Sequence, residues 1–227
     1  MTPIAKLRNK SQMTPQEAYR LLELQQGVIE WIPRYDGISE LVFTILSQHN
    51  SDLNALRAFE NLRNAFSTWE QVARANPEDI AKVIWVGGLS RIKAPRIKSV
   101  LQSIQEKRGH LDLSFLKDMP LSEAKAWLRE LSGVGPKTAA IVLGFALGMP
   151  AMPVDTHIYR VSKRLGFINP KTTVNEAHDI LEAAVKPEQI FAFHVYLITH
   201  GRMICKARSP LCQKCVLSSG CPSAFHS

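Results

Sequence analysis

The residue with the sharpest chemical potential is Lys137, in the run Leu131-Ser132-Gly133-Val134-Gly135-Pro136-Lys137-Thr138-Ala139. A lysine with an ordinary pKa near 10.4 is neutral in roughly one molecule in 2,500 at pH 7, so it attacks carbon only when tuned. Near the positive end of a helix, and partly desolvated, its ammonium form is disfavoured and a Schiff-base lysine results. A solvated lysine touching phosphate is the competing interpretation of the same position. Eighteen residues on, Asp155 stands in Val154-Asp155-Thr156-His157-Ile158-Tyr159-Arg160. Helix capping explains an aspartate there; a carboxylate within reach of a tuned lysine would also stabilise a cationic transition state. His157 is a candidate general acid or base, with a hydrogen bond to a backbone carbonyl as the more ordinary use of its ring. Arg160, Lys163 and Arg164 give the helix that follows a basic face.

The cysteines carry a second chemistry. All four, Cys205, Cys212, Cys215 and Cys221, lie within 17 residues and are spaced C-x6-C-x2-C-x5-C. The opening segment MTPIAKLRNKSQ has no apolar core of a secretory leader, so such crowding indicates metal rather than a disulfide framework.

The elements that position these groups are helical. Thr14-Pro15-Gln16-Glu17 and Thr173-Val174-Asn175-Glu176 are capping boxes, and Asn76-Pro77-Glu78-Asp79 opens a further helix. Ile38, Leu41, Val42, Ile45 and Leu46 predict one buried helical face. Ser122 is the expected cap of the helix before the glycine hairpin. No alternating strands joined by an Asn-Gly or Asp-Gly turn occur. The expectation is an all-α chain of about ten helices, with the prolines at 150 and 153 marking the boundary between two lobes. The two-glycine turn lets backbone N–H groups face outward at a helix N-terminus, a place where phosphate binds; a tight connection with no ligand is the alternative. Two rival glycine motifs are excluded, because Pro136 stands where a P-loop needs glycine and Thr138 where the dinucleotide fingerprint needs its third.

Charge and composition narrow the partner. The chain has 227 residues, 45% hydrophobic and 21% charged, which excludes disordered and fibrous classes. The longest weakly polar stretch, 139–154, is broken by glycine and proline and is shorter than the roughly 20 residues of a membrane span. Lys and Arg number 28 against 20 acids, for a net charge of +8. Residues 91–98 hold Arg91, Lys93, Arg96 and Lys98 with no acid. No carboxylate side chain follows Glu188, while Arg202, Lys206, Arg208 and Lys214 do. Separated acid-free patches suit a phosphate backbone.

LSGVGPKTA, then VDTHIYRV, then the cysteine quartet, in that order, resemble the helix–hairpin–helix DNA glycosylases of the endonuclease III type. Weaker similarities lie in Ile45-Leu46-Ser47-Gln48-His49-Asn50-Ser51-Asp52, like the family's lesion-facing loop, and in Val86-Gly87-Gly88-Leu89-Ser90-Arg91-Ile92-Lys93-Ala94, like its second DNA-probing loop. The resemblance implies two helical lobes flanking a DNA-binding cleft. One is a six-helix barrel lobe with the helix–hairpin–helix, residues 36–150. The other, residues 1–35 and 151–227, carries a [4Fe–4S] cluster on Cys205, Cys212, Cys215 and Cys221. Four thiolates match that cluster's ligand demand; zinc is the alternative, although only Cys212 and Cys215 make the paired unit zinc sites favour.

The resemblance further implies that Lys137 attacks C1′ of an extruded nucleotide while Asp155 assists, and that the Schiff base then undergoes β-elimination. Extrusion answers the need to unstack a base before chemistry on it. Implied DNA contacts are His49, Leu89, Ser90, Lys93, Gly133, Val134, Gly135, Lys206 and Arg208, with Asp52 and His157 in support. His49 departs from the glutamine that many relatives place there, and Leu89 resembles an apolar wedge. The expected activity is that of a bifunctional DNA glycosylase/AP lyase of base excision repair, removing oxidised pyrimidines from duplex DNA. The alternatives are a glycosylase for uracil or thymine opposite guanine, and a non-catalytic DNA-binding module. The expected partner is double-stranded DNA with damaged bases or abasic sites. A monomer is expected, in the cytoplasm with the nucleoid and not at a membrane.

Overall fold

Seven of the α-helices among the described residues start where a side chain satisfies one of the first unpaired N–H groups. The computed structural model describes residues 13–225; the segment MTPIAKLRNKSQ, read above as lacking a secretory leader, lies outside the described residues. Thr14 and Glu17 form a full capping box at α1 (Pro15–Gln26), and Thr173 and Glu176 form another at α10 (Val174–Glu182). Asp36, Ser51, Thr68 and Asn76 cap α2 (Gly37–Ser47), α3 (Asp52–Ala65), α4 (Trp69–Arg74) and α5 (Pro77–Val83). The long α6 (Ser90–Arg108) begins at Leu89 without a side-chain cap. At α7 (Leu121–Arg129) the cap position falls on Pro120, so the expected cap Ser122 lies inside the helix. Gly135 precedes α8 (Pro136–Ile141), Asp155 caps α9 (Thr156–Leu165), and α11 (Ile190–Met203) is the last α-helix. The described residues hold no strand, and the fold is all-α.

The chain divides into two compact units, 31–153 and the remainder from both ends. The first contains α2 to α8 around one apolar core that includes Leu41, Ile45, Phe59, Ile97, Leu101 and Leu143. Its central element is α2. The sequence predicts one buried face, but every residue from Gly37 to Leu46 is buried. The helix is enclosed on all sides, and its polar groups are paired accordingly. Glu40, fully buried, takes Arg34 in an ion pair at 2.5 Å, and Ser39 Oγ accepts from the Trp69 indole N–H at 3.1 Å. The short α8 runs into a π-helical turn, Val142–Ala146, and Gly144 lies so close to the returning chain that a Cβ would stand 3.1 Å from the Ala151 carbonyl.

In the other unit α1 packs on α11 through Tyr19, which meets Tyr196 edge-on at 5.5 Å and Phe193 at 6.1 Å. α9 approaches α11 at Gly201, where an added Cβ would be 3.0 Å from the His157 Cβ. After α11 the chain makes only turns, among them Cys215–Ser218, Ser218–Cys221 and Cys221–Ala224 hydrogen bonds. Among the described residues, no helix is long and apolar enough to cross a membrane.

Candidate active site and cysteine centre

Three loops of the 31–153 unit are hydrogen-bonded together: the end of α2, the turn before α6, and the glycine hairpin before α8. Gly133 has φ +80°, a conformation that only glycine adopts without strain. The N–H groups of Gly133 and Gly135 have no partner among the described residues, so they are open to an acceptor. Val134 is different. Its side chain is buried and its N–H donates to the Leu131 carbonyl at 3.0 Å, so it anchors the hairpin from within. The expected DNA contact at Val134 is therefore corrected to an internal one.

Lys137 occupies the second position of α8, while Thr138, Ala139 and Ala140 behind it are buried. Its side chain is exposed, and no hydrogen bond or ion pair holds the amine among the described residues. The partial desolvation expected from the sequence is absent from the free chain, because the hairpin presents this turn of helix to solvent.

His49 and Leu89 share an unusual feature. Both are exposed and both hold left-handed backbone, φ +52° and +51°. For side-chain-bearing residues such backbone costs on the order of 1–3 kcal/mol and persists only where the surroundings impose it. The imposing contacts are visible. Lys93 donates from Nζ to the carbonyls of Leu46 (2.7 Å) and Gly87 (2.9 Å), and Asn50 Nδ2 donates to the same Gly87 oxygen at 2.7 Å. Lys93 is only 2% exposed, and burial pushes its pKa below the ordinary lysine value. It cannot reach phosphate, so the expected DNA contact at Lys93 is corrected to a strut beneath the loops. Arg96, three residues on, donates to Gln48 Oε1 at 2.8 Å, and Gln48 Nε2 donates to Thr138 Oγ1 at 3.4 Å. Ser90 is half-buried in the first turn of α6, and the exposed Asp52 opens α3.

In the other unit, Asp155 caps α9 by accepting the Ile158 N–H on Oδ1 at 2.8 Å. Its second oxygen has no partner among the described residues. His157 does not bond a backbone carbonyl, as the sequence led one to expect. Its Nδ1 faces Arg160 Nη2 at 3.3 Å, a contact that requires the ring nitrogen to be the acceptor.

The basic face expected on α9 also turns inward. Arg160 donates to the carbonyls of Gly201 (2.8 Å) and Cys205 (3.0 Å), and Arg164 to those of Lys206 (2.6 Å) and Ala207 (3.1 Å). Arg164 also reaches Cys205 Sγ at 3.4 Å. These clamps went unrecognised at the sequence level, although their spacing of four residues on one helix face was the available signal. Lys206 and Arg208 remain exposed.

All four cysteines are free and half-buried. They line one cavity together with Arg164, His200 and several apolar side chains. Burial, reinforced by the neighbouring cysteines, pushes the Cys215 thiol up to about 11. His200, buried and held neutral with its pKa pushed down to about 4, sets Nε2 3.6 Å from Cys215 Sγ and leaves Nδ1 without a partner. Among the described residues no three metal-ligating side chains converge as on a single ion. Four thiols lining one cavity, yet not converging on a single point, suit ligands placed about a larger inorganic body.

Residues 42–187 match the HhH-GPD superfamily of base excision DNA repair proteins, and residues 205–221 match the iron–sulfur binding domain of endonuclease III. A putative DNA glycosylase of Arabidopsis thaliana is 36% identical over 72% of this chain and 56% of its own length. Endonuclease III of Thermotoga maritima is 34% identical over 88% of this chain and 91% of its own. A solved non-covalent endonuclease III–DNA complex superposes with a TM-score of 0.78 at 28% identity, covering 93% of this chain and 97% of that one. A trapped covalent endonuclease III–DNA intermediate gives 0.75 at the same identity and coverage. The chain belongs to the HhH-GPD superfamily of base excision DNA repair proteins, as an endonuclease III-type DNA glycosylase with an iron–sulfur cluster. It is a DNA-binding enzyme with glycosylase and AP lyase activity.

Proposed function

We propose that the chain removes oxidised pyrimidines from duplex DNA and nicks the resulting site, with Lys137 as the nucleophile and Asp155 as its carboxylate partner. The observation that carries this assignment is Lys137 itself, an exposed amine without a partner on the first turn of a helix that starts from a glycine hairpin. In its deprotonated form, an amine so placed adds to C1′ of an extruded nucleotide as the glycosidic bond breaks and the base leaves with the bonding electrons. The C1′–O4′ bond then opens, with O4′ taking a proton, to give the lysine–sugar imine; loss of a C2′ proton breaks the C3′–O bond by β-elimination and releases the 3′ phosphate. Asp155 is firmly held through Oδ1, and its unpartnered oxygen is available to offset the positive charge that develops on the sugar.

The open N–H groups of Gly133 and Gly135 bind phosphate, as helix-start donors do. His49, Leu89 and Ser90 contact the bases and backbone around the lesion, and Lys206 and Arg208 add phosphate contacts. Asp52 and His157 support the site from the starts of α3 and α9. Cys205, Cys212, Cys215 and Cys221 hold a [4Fe–4S] cluster. When bound, that cluster cross-links a segment that has little apolar core of its own. The enzyme works as a monomer, in the cytoplasm with the nucleoid DNA.

Borohydride trapping on a duplex containing thymine glycol tests the assignment. Wild type forms a covalent adduct and Lys137→Ala does not, while Asp155→Asn keeps binding and loses turnover by about a hundredfold or more. An undiminished adduct in Lys137→Ala would remove the lysine from the chemistry. Faster excision from uracil–guanine or thymine–guanine duplexes than from thymine glycol would move the substrate to mismatches.

A further inference from the structure

Nothing among the described residues touches the Lys137 amine, so its position depends on what holds the backbone of the hairpin and the first turn of α8. The contacts that do so converge on one side chain, Arg96 of α6. Its guanidinium donates to Gln48 Oε1 at 2.8 Å, and the other end of the Gln48 amide donates to Thr138 Oγ1, the residue next to Lys137. The stem of Arg96 lies directly beneath the hairpin. A Cβ built on Gly133 would fall 2.7 Å from both Cδ and Nε of Arg96. Gly133 therefore needs its missing side chain for two reasons, its positive φ and the arginine packed against it. Gln48 also immediately precedes His49, which is exposed and in left-handed backbone. One half-buried arginine thus ties together a strained loop, a glycine hairpin and the helix turn that carries the amine.

We propose that Arg96 is a positioning residue for Lys137, acting through Gln48 and Thr138 and through its packing under Gly133 rather than by contact with DNA. The inference rests on Lys137 being the nucleophile. A lysine at position 96 keeps the charge but has no planar fork to hold an amide oxygen while its stem fills the space under the hairpin. The charge on residue 96 and its geometry can therefore be separated.

Single-turnover borohydride trapping on a duplex with an abasic site measures amine positioning. Binding to a duplex with a tetrahydrofuran analogue, which has no C1′ leaving group, measures DNA affinity alone. We expect Arg96→Lys and Gln48→Ala each to slow trapping by about tenfold to a hundredfold, the scale of a small misplacement of a reacting group. Tetrahydrofuran-duplex affinity should change by less than about twofold, since no phosphate contact is lost. The pH profile of trapping should keep its shape, and the Arg96→Lys/Gln48→Ala double variant should be no slower than the worse single one, as for residues acting in one network. Arg96→Lys trapping at the wild-type rate would overturn the proposal. So would a loss of affinity matching the loss of rate, which would make Arg96 a DNA contact. Should wild type itself form no adduct while releasing base, the assignment of Lys137 fails and takes this inference with it; normal wild-type trapping with an indifferent Arg96→Lys sinks only the inference.

Discussion

In α6, Lys93, Arg96 and Lys98 turn inward and donate to Leu46 and Gly87, to Gln48, and to the Ala75 carbonyl. Around the cysteines, Lys206, Arg208 and Lys214 stand exposed, and the inward-facing cations come instead from α9, where Arg160 and Arg164 clamp the carbonyls of residues 201–207. As strings of letters the two basic stretches look alike. The physical difference lies in the loops each one adjoins. A loop that leaves the helical ladder carries carbonyls with no N–H in reach, and a long cationic side chain can bring donors to them. In α6 the helix bearing the cations lies beside such loops, so three of its cations go into building the site, while Arg91 stays exposed. In the cysteine segment the neighbouring helix does that work, which leaves the segment's own cations exposed. Net charge therefore overstates how much positive charge this protein turns outward.

The comparison can be broken at several points. Removal of iron by oxidation and chelation should have the largest effect, because for a segment held by its metal the binding energy is folding energy. Trypsin should then cut at Lys206, Arg208 and Lys214 while the 31–153 unit stays protected; an unchanged digest would show that turns and arginine clamps suffice.

Next in size is Lys93→Met, which keeps the stem and removes both donors. Losing the donor to the Leu46 carbonyl, and leaving the Gly87 carbonyl to Asn50 alone, should cost about 1–3 kcal/mol, read by urea unfolding. The salt dependence of DNA binding should not change. A shallower salt slope would mean that Lys93 reaches phosphate after all.

Lys206→Ala and Arg208→Ala should do the reverse. Stability should stay within about 0.5 kcal/mol, and the slope of log affinity against log salt should fall by about 1 for each. Equal slopes in variant and wild type would place the DNA contact elsewhere.

The smallest effect concerns an exposed carboxylate. Glu176 accepts the Thr173 N–H at 2.7 Å, and this backbone bond, with the Thr173 hydroxyl, holds its pKa below the ordinary glutamate value. A carboxylate shifted down on folding contributes stability above its unfolded pKa and loses it as pH falls through the folded one. The Thr173 amide resonance should accordingly titrate below the ordinary glutamate range as the start of α10 frays. Titration at or above that range would show the cap to be open in solution.

Local signals were legible where the physics is local. The capping boxes at Thr14 and Thr173, the Asn76-Pro77 start and the Asp155 cap depend on residues three or four apart, and all four open helices in the structure. Ser122 misled because proline also fits a helix start, and Pro120 takes the place one turn earlier. The enclosure of α2 on every side was hidden because its five apolar residues have the spacing of any amphipathic helix, and the pairing of Glu40 with Arg34 needs the fold around them.

By itself, the sequence determined the helical class, the hairpin with its lysine, the four thiols and the family to which they point, since each is a matter of residue type and short spacing. Tertiary structure alone decided which cations stay exposed and which hold loops, that Val134 and Lys93 are internal, and that Gln48, Arg96 and Thr138 form one chain of contacts. The bonded pairs lie 48 and 90 positions apart along the polypeptide. A side chain's partner at such a distance is set by how helices pack, and no spacing rule along the chain records it.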